Sequence, residues 1–155
     1  MQVNARVDYA LQAIIEIARA GAVVPRKTLT ARHEIPARFL EQILAQLVRS
    51  GILVGTRGPQ GGYELARAPD EISVADVVRA IDGPLAAVRG LPPEKLEYPG
   101  GADILRELWV ALRASMRHVL EATTVADLAG GVLPDDVRDV LAEPDAWRRR
   151  GMPRD

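Results

Sequence analysis

Arg38, Glu41, Gln42, Ala45 and Arg49 recur at steps of three and four, which sets them on one face of a helix. These residue types read or clamp DNA. A guanidinium reaches guanine or phosphate, a glutamine amide pairs with adenine, and a carboxylate accepts from the cytosine amine. They are also the ordinary residues of a solvated helix face, and taken alone the helix favours that plainer reading. A second feature changes the balance. Arg57 stands directly before Gly58-Pro59-Gln60-Gly61-Gly62, a turn with almost no side-chain bulk. Arginine is drawn into narrow minor grooves, and glycine lets backbone amides approach phosphate oxygens closely. A bare hairpin turn requires neither the arginine nor so many glycines. Helix and turn together point to DNA contact, with Thr28, Arg38, Glu41, Gln42, Arg49, Arg57, Gly58, Gln60 and Gly61 as the candidate residues.

The elements that must hold these residues follow from hydrophobic periodicity. Val7, Leu11, Ile14, Ile15 and Ala18 mark an amphipathic helix over residues 3–20, with Gly21 closing it. A short helix over 26–33 offers Leu29 and Ala31 for packing, and Pro36 opens a third helix. The inner face of that helix reads Leu40, Ile43, Leu44, Leu47 and Val48, and Gly51 suits its left-handed cap. The period then changes. Ile52-Leu53-Val54 and Tyr63-Glu64-Leu65 read as strands on either side of the glycine-rich turn. Helix, short helix, helix, hairpin is the order of a winged helix-turn-helix unit.

Beyond it, Ser73 to Asp76 has the spacing of a capping box for a helix that ends at Gly83-Pro84. Residues 84–101 are rich in proline and glycine and read as a connector. A long helix over 102–122 carries Leu105, Leu108, Leu112 and Val119, widened by Trp109 and Met116. One small chain has little against which to bury so wide a face, so these six residues are expected to pair with a second copy. Thr124 to Asp127 repeats the capping-box spacing, and Pro134 starts one more short helix. The expected fold is mainly α with a small β-hairpin wing. The division is a winged helix-turn-helix domain over 1–83, a connector over 84–101, dimerisation and C-terminal helices over 102–143, and a flexible tail over 144–155.

Composition narrows the function classes. The chain has 155 residues, 48% hydrophobic and 26% charged, as in ordinary globular proteins. No apolar run reaches the ~18 residues needed to span a bilayer, and no secretory leader is evident, so a cytoplasmic location without a membrane partner is expected. There is no cysteine, which removes disulfides, thiol nucleophiles and thiolate-held metals. The net charge of −1 hides an asymmetry: residues 1–70 hold nine Lys/Arg against six Asp/Glu, and the remainder is acidic. A mildly basic front half suits a phosphate-contacting surface. No nucleophile–base pair, metal constellation or phosphate-binding loop is present, so an enzyme is not expected.

Several landmarks together resemble one known family. Tyr9-Ala10-Leu11, Ile35-Pro36, Phe39-Leu40-Glu41-Gln42-Ile43-Leu44, Ser50-Gly51, Arg57-Gly58 and Gly61-Gly62-Tyr63-Glu64-Leu65-Ala66 stand in the order and spacing of the Rrf2 (Rrf-two) family of bacterial transcription regulators. Leu108-Trp109, Ala80-Ile81-Asp82-Gly83 and Thr124-Val125-Ala126-Asp127-Leu128 resemble its later landmarks, and the likeness covers residues 3–129. It implies a homodimer built through the long helix, binding double-stranded DNA at a near-palindromic operator, usually as a repressor. Carried onto matching positions, Arg38, Glu41 and Gln42 become recognition-helix contacts, and Arg57 and Gly58 wing contacts.

One departure stands out. Many relatives place three cysteines in the connector and use an iron–sulfur cluster there. Residues 89–103 have none, so no such cofactor is expected. Asp8 and His33 lie where some relatives recruit extra ligands, but capping or surface pairing is the simpler role for them. The signal is left open between a small-molecule and a protein effector. Trp109 and His118, with Tyr98 and Glu94, are pocket candidates against the plainer reading of packed and surface residues. The competing class is a winged-helix module that binds protein instead of DNA.

Overall fold

Asn4 starts the first helix of the computed structural model, which describes residues 3–33 and 35–148. The His33 side chain, and Arg149 and Arg150 of the tail, lie outside the described residues. Helix α1 runs Ala5–Ala20; the Asn4 side chain accepts from the Arg6 amide at 2.9 Å, and Gly21 closes the helix. Helix α2 spans Arg26–His33 and α3 spans Ala37–Arg49. Gly51 follows at φ 71, where its amide donates to the Val48 carbonyl at 3.1 Å and the Ile52 amide to the Leu47 carbonyl at 3.0 Å. This pair of bonds needs a left-handed residue and turns the chain directly into the wing.

Strands β1, Leu53–Thr56, and β2, Gly62–Leu65, pair antiparallel with Leu53 opposite Leu65 and Thr56 opposite Gly62. Val24, from the loop between α1 and α2, lies along the other edge of β2. Val24 and Tyr63 exchange both backbone hydrogen bonds at 2.9 Å. The wing is therefore tied to the helical body on two sides, a pairing that periodicity does not announce.

Helix α4 is Val74–Asp82, with both hydrogen bonds of the capping box between Ser73 and Asp76 formed. After a connector with a 3-10 turn at Pro93–Lys95 come α5, Ile104–Ala122, α6, Val125–Gly130, and α7, Asp135–Leu141. The chain then folds back. The Val74 amide donates to the Thr123 carbonyl and the Val125 amide to the Ile72 carbonyl, both at 2.8 Å. That places Val125 in the same apolar core as Ile14, Leu40 and Leu47.

Two parts of the expected core differ. In α1 the buried residues are Val7, Ala10, Ala13, Ile14 and Ile17, while Leu11, Ile15 and Ala18 are only half-buried. Alanine hardly registers in a hydrophobic pattern, yet its small size is what lets α4 and α6 approach α1. In α3, Val48 is not an inner-face residue. It is 36% exposed and lies beside the wing, against Gly55. Likewise Leu29 is buried in α2, but Ala31 is exposed.

The second capping box also sets a pH response. The Thr124 hydroxyl and amide donate to Asp127 Oδ2 at 2.6 and 2.8 Å, which holds this carboxyl below the usual aspartate range. A folded-state value below the unfolded one stabilises fully above the ordinary aspartate range, and that contribution is lost as pH falls through the depressed value. Asp127→Asn is expected to lower the melting temperature at about pH 7 and to flatten the loss of stability towards about pH 3. Melting curves with the same acid dependence in both chains would contradict this.

Candidate nucleic-acid interface

Helix α3 buries Leu40, Ile43, Leu44 and Leu47 and thereby fixes its opposite face outward. Arg38, Gln42, Ala45 and Arg49 are all exposed on that face. Arg57, Gly58 and Gln60 are exposed at the wing, and Thr28 is half-buried on α2. Among the described residues, Arg38, Arg49 and Arg57 form no salt bridge or side-chain hydrogen bond, so their guanidiniums keep all their donors for a partner.

The two features singled out in the sequence meet in space. An open groove runs between the C-terminal half of α3 and the wing, lined by Ala45, Val48, Arg49, Arg57, Gly58 and Gly61. Arg26, from the start of α2, lines the same groove, as does Tyr63. The basic pair Arg26-Lys27 was the available signal for the first, while Tyr63 carries none beyond its strand position. Arg38 and Gln42 stand further towards the N-terminus of the same helix face.

Glu41 has a different setting. Its carboxylate is ion-paired with Arg26, so helix α2 supplies it with an intramolecular partner. An exposed pair of this kind contributes little stability, and a base amine or phosphate competes with it readily. The wing glycines also have more than one role. A Cβ on Gly61 would lie 2.2 Å from the Thr56 carbonyl oxygen, and one on Gly62 would lie 2.3 Å from that of Val24. The Gly61 amide closes the turn onto the Gly58 carbonyl at 2.9 Å. Contrary to expectation, then, this hairpin does require its glycines for folding. They are not by themselves a mark of phosphate contact. Arg57 has no comparable structural reason.

The long helix exposes what a second copy would cover. None of the 19 residues of α5 is buried. Ile104 is 67% and Leu108 is 53% exposed, and Leu105, Leu112, Met116 and Val119 are half-buried. Trp109 is partly occupied within the chain: its Nε1 donates to the Tyr98 hydroxyl at 2.9 Å, and the Arg89 guanidinium lies 5.3 Å from the centre of the Tyr98 ring. His118 is directed elsewhere, 4.0 Å from Asp136 on the exposed side of α5. Trp109 and His118 therefore do not share a pocket. Glu94 contacts Arg113 at 2.7 Å, and Asp8 accepts from Gln12 at 2.7 Å.

A helix presented by a helical core, flanked by a wing held in register with it, defines a winged helix-turn-helix DNA-binding protein. The family model described as the Rrf2 iron-dependent transcriptional regulator matches residues 3–131, and the chain belongs to the Rrf2 family. Rv1287 of Mycobacterium tuberculosis is 49% identical over 139 residues, covering 88% of this chain and 86% of that protein. The HTH-type transcriptional regulator CymR of Bacillus subtilis is 31% identical over 131 residues, covering 83% and 90%. The solved structure of B. subtilis CymR, described as the global cysteine regulator, matches with a TM-score of 0.70 at 30% identity, covering 85% of this chain and 98% of that one. The T. potens IscR structure matches at 0.68 and 28%, covering 84% and 88%. The protein is a DNA-binding transcription regulator and not an enzyme, and no helix among the described residues is long and apolar enough to cross a membrane.

Its donor set does not fit the iron of the family's description. The chain contains no cysteine, and among the described residues no group of three or more His, Cys, Asp or Glu side chains is placed to hold a metal ion. The connector is secured instead by organic contacts: Trp109 to Tyr98, Arg113 to Glu94, and Arg106 Nε to the Leu96 carbonyl at 2.8 Å.

Proposed function

We infer that the protein acts as a homodimeric repressor of a near-palindromic operator, with α3 in successive major grooves and the wing on the adjoining backbone or minor groove. The observation that carries this reading is the exposed, unpaired row of Arg38, Gln42 and Arg49 on α3, continued by Arg57 across the groove. Gln42 supplies the paired donor and acceptor that discriminate adenine, and Arg38 and Arg49 reach guanine or phosphate. Arg57 supplies charge where the minor groove or phosphates approach. Two copies joined through α5 present two such faces, and a two-fold protein calls for a two-fold site. The effector is a small molecule or a protein, and the donor set argues against a cluster.

The test is fluorescence anisotropy of the full chain on DNA from upstream of its own coding sequence, at two salt concentrations, with unrelated DNA as competitor. Tight binding that falls steeply with salt and resists the competitor is expected. Arg57→Ala should weaken it by about 1–3 kcal/mol and reduce the salt dependence. Unchanged affinity in that variant removes the wing from the mechanism. Binding no better than to unrelated fragments, on this and on genome-wide DNA, replaces the reading with a protein-binding winged helix. Repression itself is read from a reporter on the same promoter, which should rise when the regulator is deleted.

A further inference from the structure

The end of α4, the connector and α5 border an open cleft of about 470 Å3. Three guanidiniums line it: Arg79 from α4, and Arg113 and Arg117, one turn apart on α5. Among the described residues Glu94 is the one carboxylate in the lining, and Pro84 and the buried Leu85 form an apolar wall. The size lies within the range of small-ligand sites. Such a concentration of arginine in a protein of net charge −1 calls for an accounting of where their donors go.

Each guanidinium has five N–H donors in a planar fork. Arg113 spends its Nη1 on Glu94 at 2.7 Å. Arg117 spends its Nε on Glu121 Oε1 at 3.0 Å, and Arg79 contacts that same oxygen through Nη2. Arg79 Nη1 also lies 3.6 Å from Asp76, whose carboxylate is already engaged in the Ser73 capping box. One oxygen of Glu121 thus serves two arginines, and Glu94 and Glu121 are both held below the usual glutamate range. In Glu94 the main cause is its own backbone amide, followed by Arg113; in Glu121 it is Arg79, followed by Arg117. Among the described residues, both terminal nitrogens of Arg117, and Nε and Nη2 of Arg113, have no acceptor.

We propose that this cleft binds a small oxyanion, a carboxylate or phosphate group, between the unspent forks of Arg113 and Arg117, with Glu94 as the carboxylate it displaces. Planar forks suit two-oxygen groups and give a spherical halide only one contact at a time. The apolar wall of Pro84 and Leu85 takes the remainder of the ligand. Arg113 and Arg117 stand about 100–180° round α5 from Leu108 and Leu112, so a partner helix on those two leucines need not fill the cleft.

The site has a route to the DNA-binding surface. Gln46, on the inner side of α3, donates its amide to the Ala80 and Ile81 carbonyls at 2.7 and 3.2 Å, immediately after Arg79. Its Oε1 accepts from Arg6 of α1 at 2.7 Å. An oxyanion on Arg117 disturbs the Glu121 carboxylate that Arg117 shares with Arg79, and Arg79 stands near the end of α4, which is bonded to the recognition helix. This consequence rests on the regulator reading. The binding site does not, and it is tested without DNA.

The protein has two tryptophans, so a Trp147→Phe background leaves Trp109, one turn before Arg113, as the reporter. Its fluorescence is followed during titration with malonate and with inorganic phosphate, against sodium chloride at matched ionic strength. A saturable change with either oxyanion but not with chloride is expected, and the tighter of the two identifies the group. Arg117→Gln should weaken binding roughly tenfold or more. Glu94→Gln should tighten it by releasing Arg113, a gain that misfolding cannot produce. No saturable change with either oxyanion, the same change with chloride, or indifference to both substitutions would overturn the site.

Discussion

On the proposed pairing through α5, the parent should sediment as a dimer and a Leu108→Asp chain as a monomer, whose affinity for the proposed two-fold operator should be roughly 100- to 10,000-fold lower. Helix α5 has 19 residues, and none of them is buried. A helix with an apolar stripe and so little covering leaves part of its hydrophobic surface in water, at about 25 cal/mol per Å2. Leu108, at 53% exposure, and Ile104, at 67%, are the least covered large residues of that helix. Aspartate at 108 therefore disturbs the single chain little, and circular dichroism should be unchanged. In a dimer it buries a charge against a second apolar stripe. The drop in DNA affinity follows because the second half-site contact ceases to be intramolecular. A variant that stays dimeric places the interface elsewhere. A monomer with full affinity would mean that one half-site suffices.

Gly62→Ala should destabilise the fold by about 1–3 kcal/mol and weaken DNA binding together with it. The added Cβ would come within 2.3 Å of the Val24 carbonyl oxygen and 2.6 Å of its carbon, and both are backbone atoms that no rotamer change can move aside. The wing must then part from the loop before α2, breaking the Val24–Tyr63 pair that holds its outer edge. Gly130→Ala is the matched control, since nothing lies within 4 Å of its Cβ position and the residue is helical. There the smaller entropy loss of alanine should stabilise by about 0.5–1 kcal/mol. Equal melting temperatures for Gly62→Ala and the parent would show that the strand and loop yield freely.

The opposite signs expected of these two glycines mark the boundary of what sequence can show. Caps were legible, because Ser73–Asp76, Thr124–Asp127 and Gly51 act within a few residues of themselves. The outward face of α3 was legible because its inner face is so regularly apolar. Contacts between distant segments were not. Nothing local says that Val24 will lie along Tyr63, that Val125 will enter the core beside Ile72, or that Arg26 will claim Glu41. The alanines of α1 are silent in the sequence for a related reason: a residue that matters by being small leaves no periodic signal. The arginine cleft brings together residues 79, 94, 113 and 117, whose proximity comes from the packing of α4 and of the connector turn against α5.

The return of Val125 to the core has a consequence for the order in which the protein comes into being. Ile72 and Val74 acquire their partners only when Thr123 and Val125 arrive, some fifty residues later in the chain. Closing so long a loop is entropically slow, and until it closes one side of α1 has nothing to pack against. During synthesis the recognition helix and wing leave the ribosome well before the segment that completes their support. A chain cut short before Thr123 lacks the backbone partners of Ile72 and Val74 and leaves the side of α1 that α6 covers open to water.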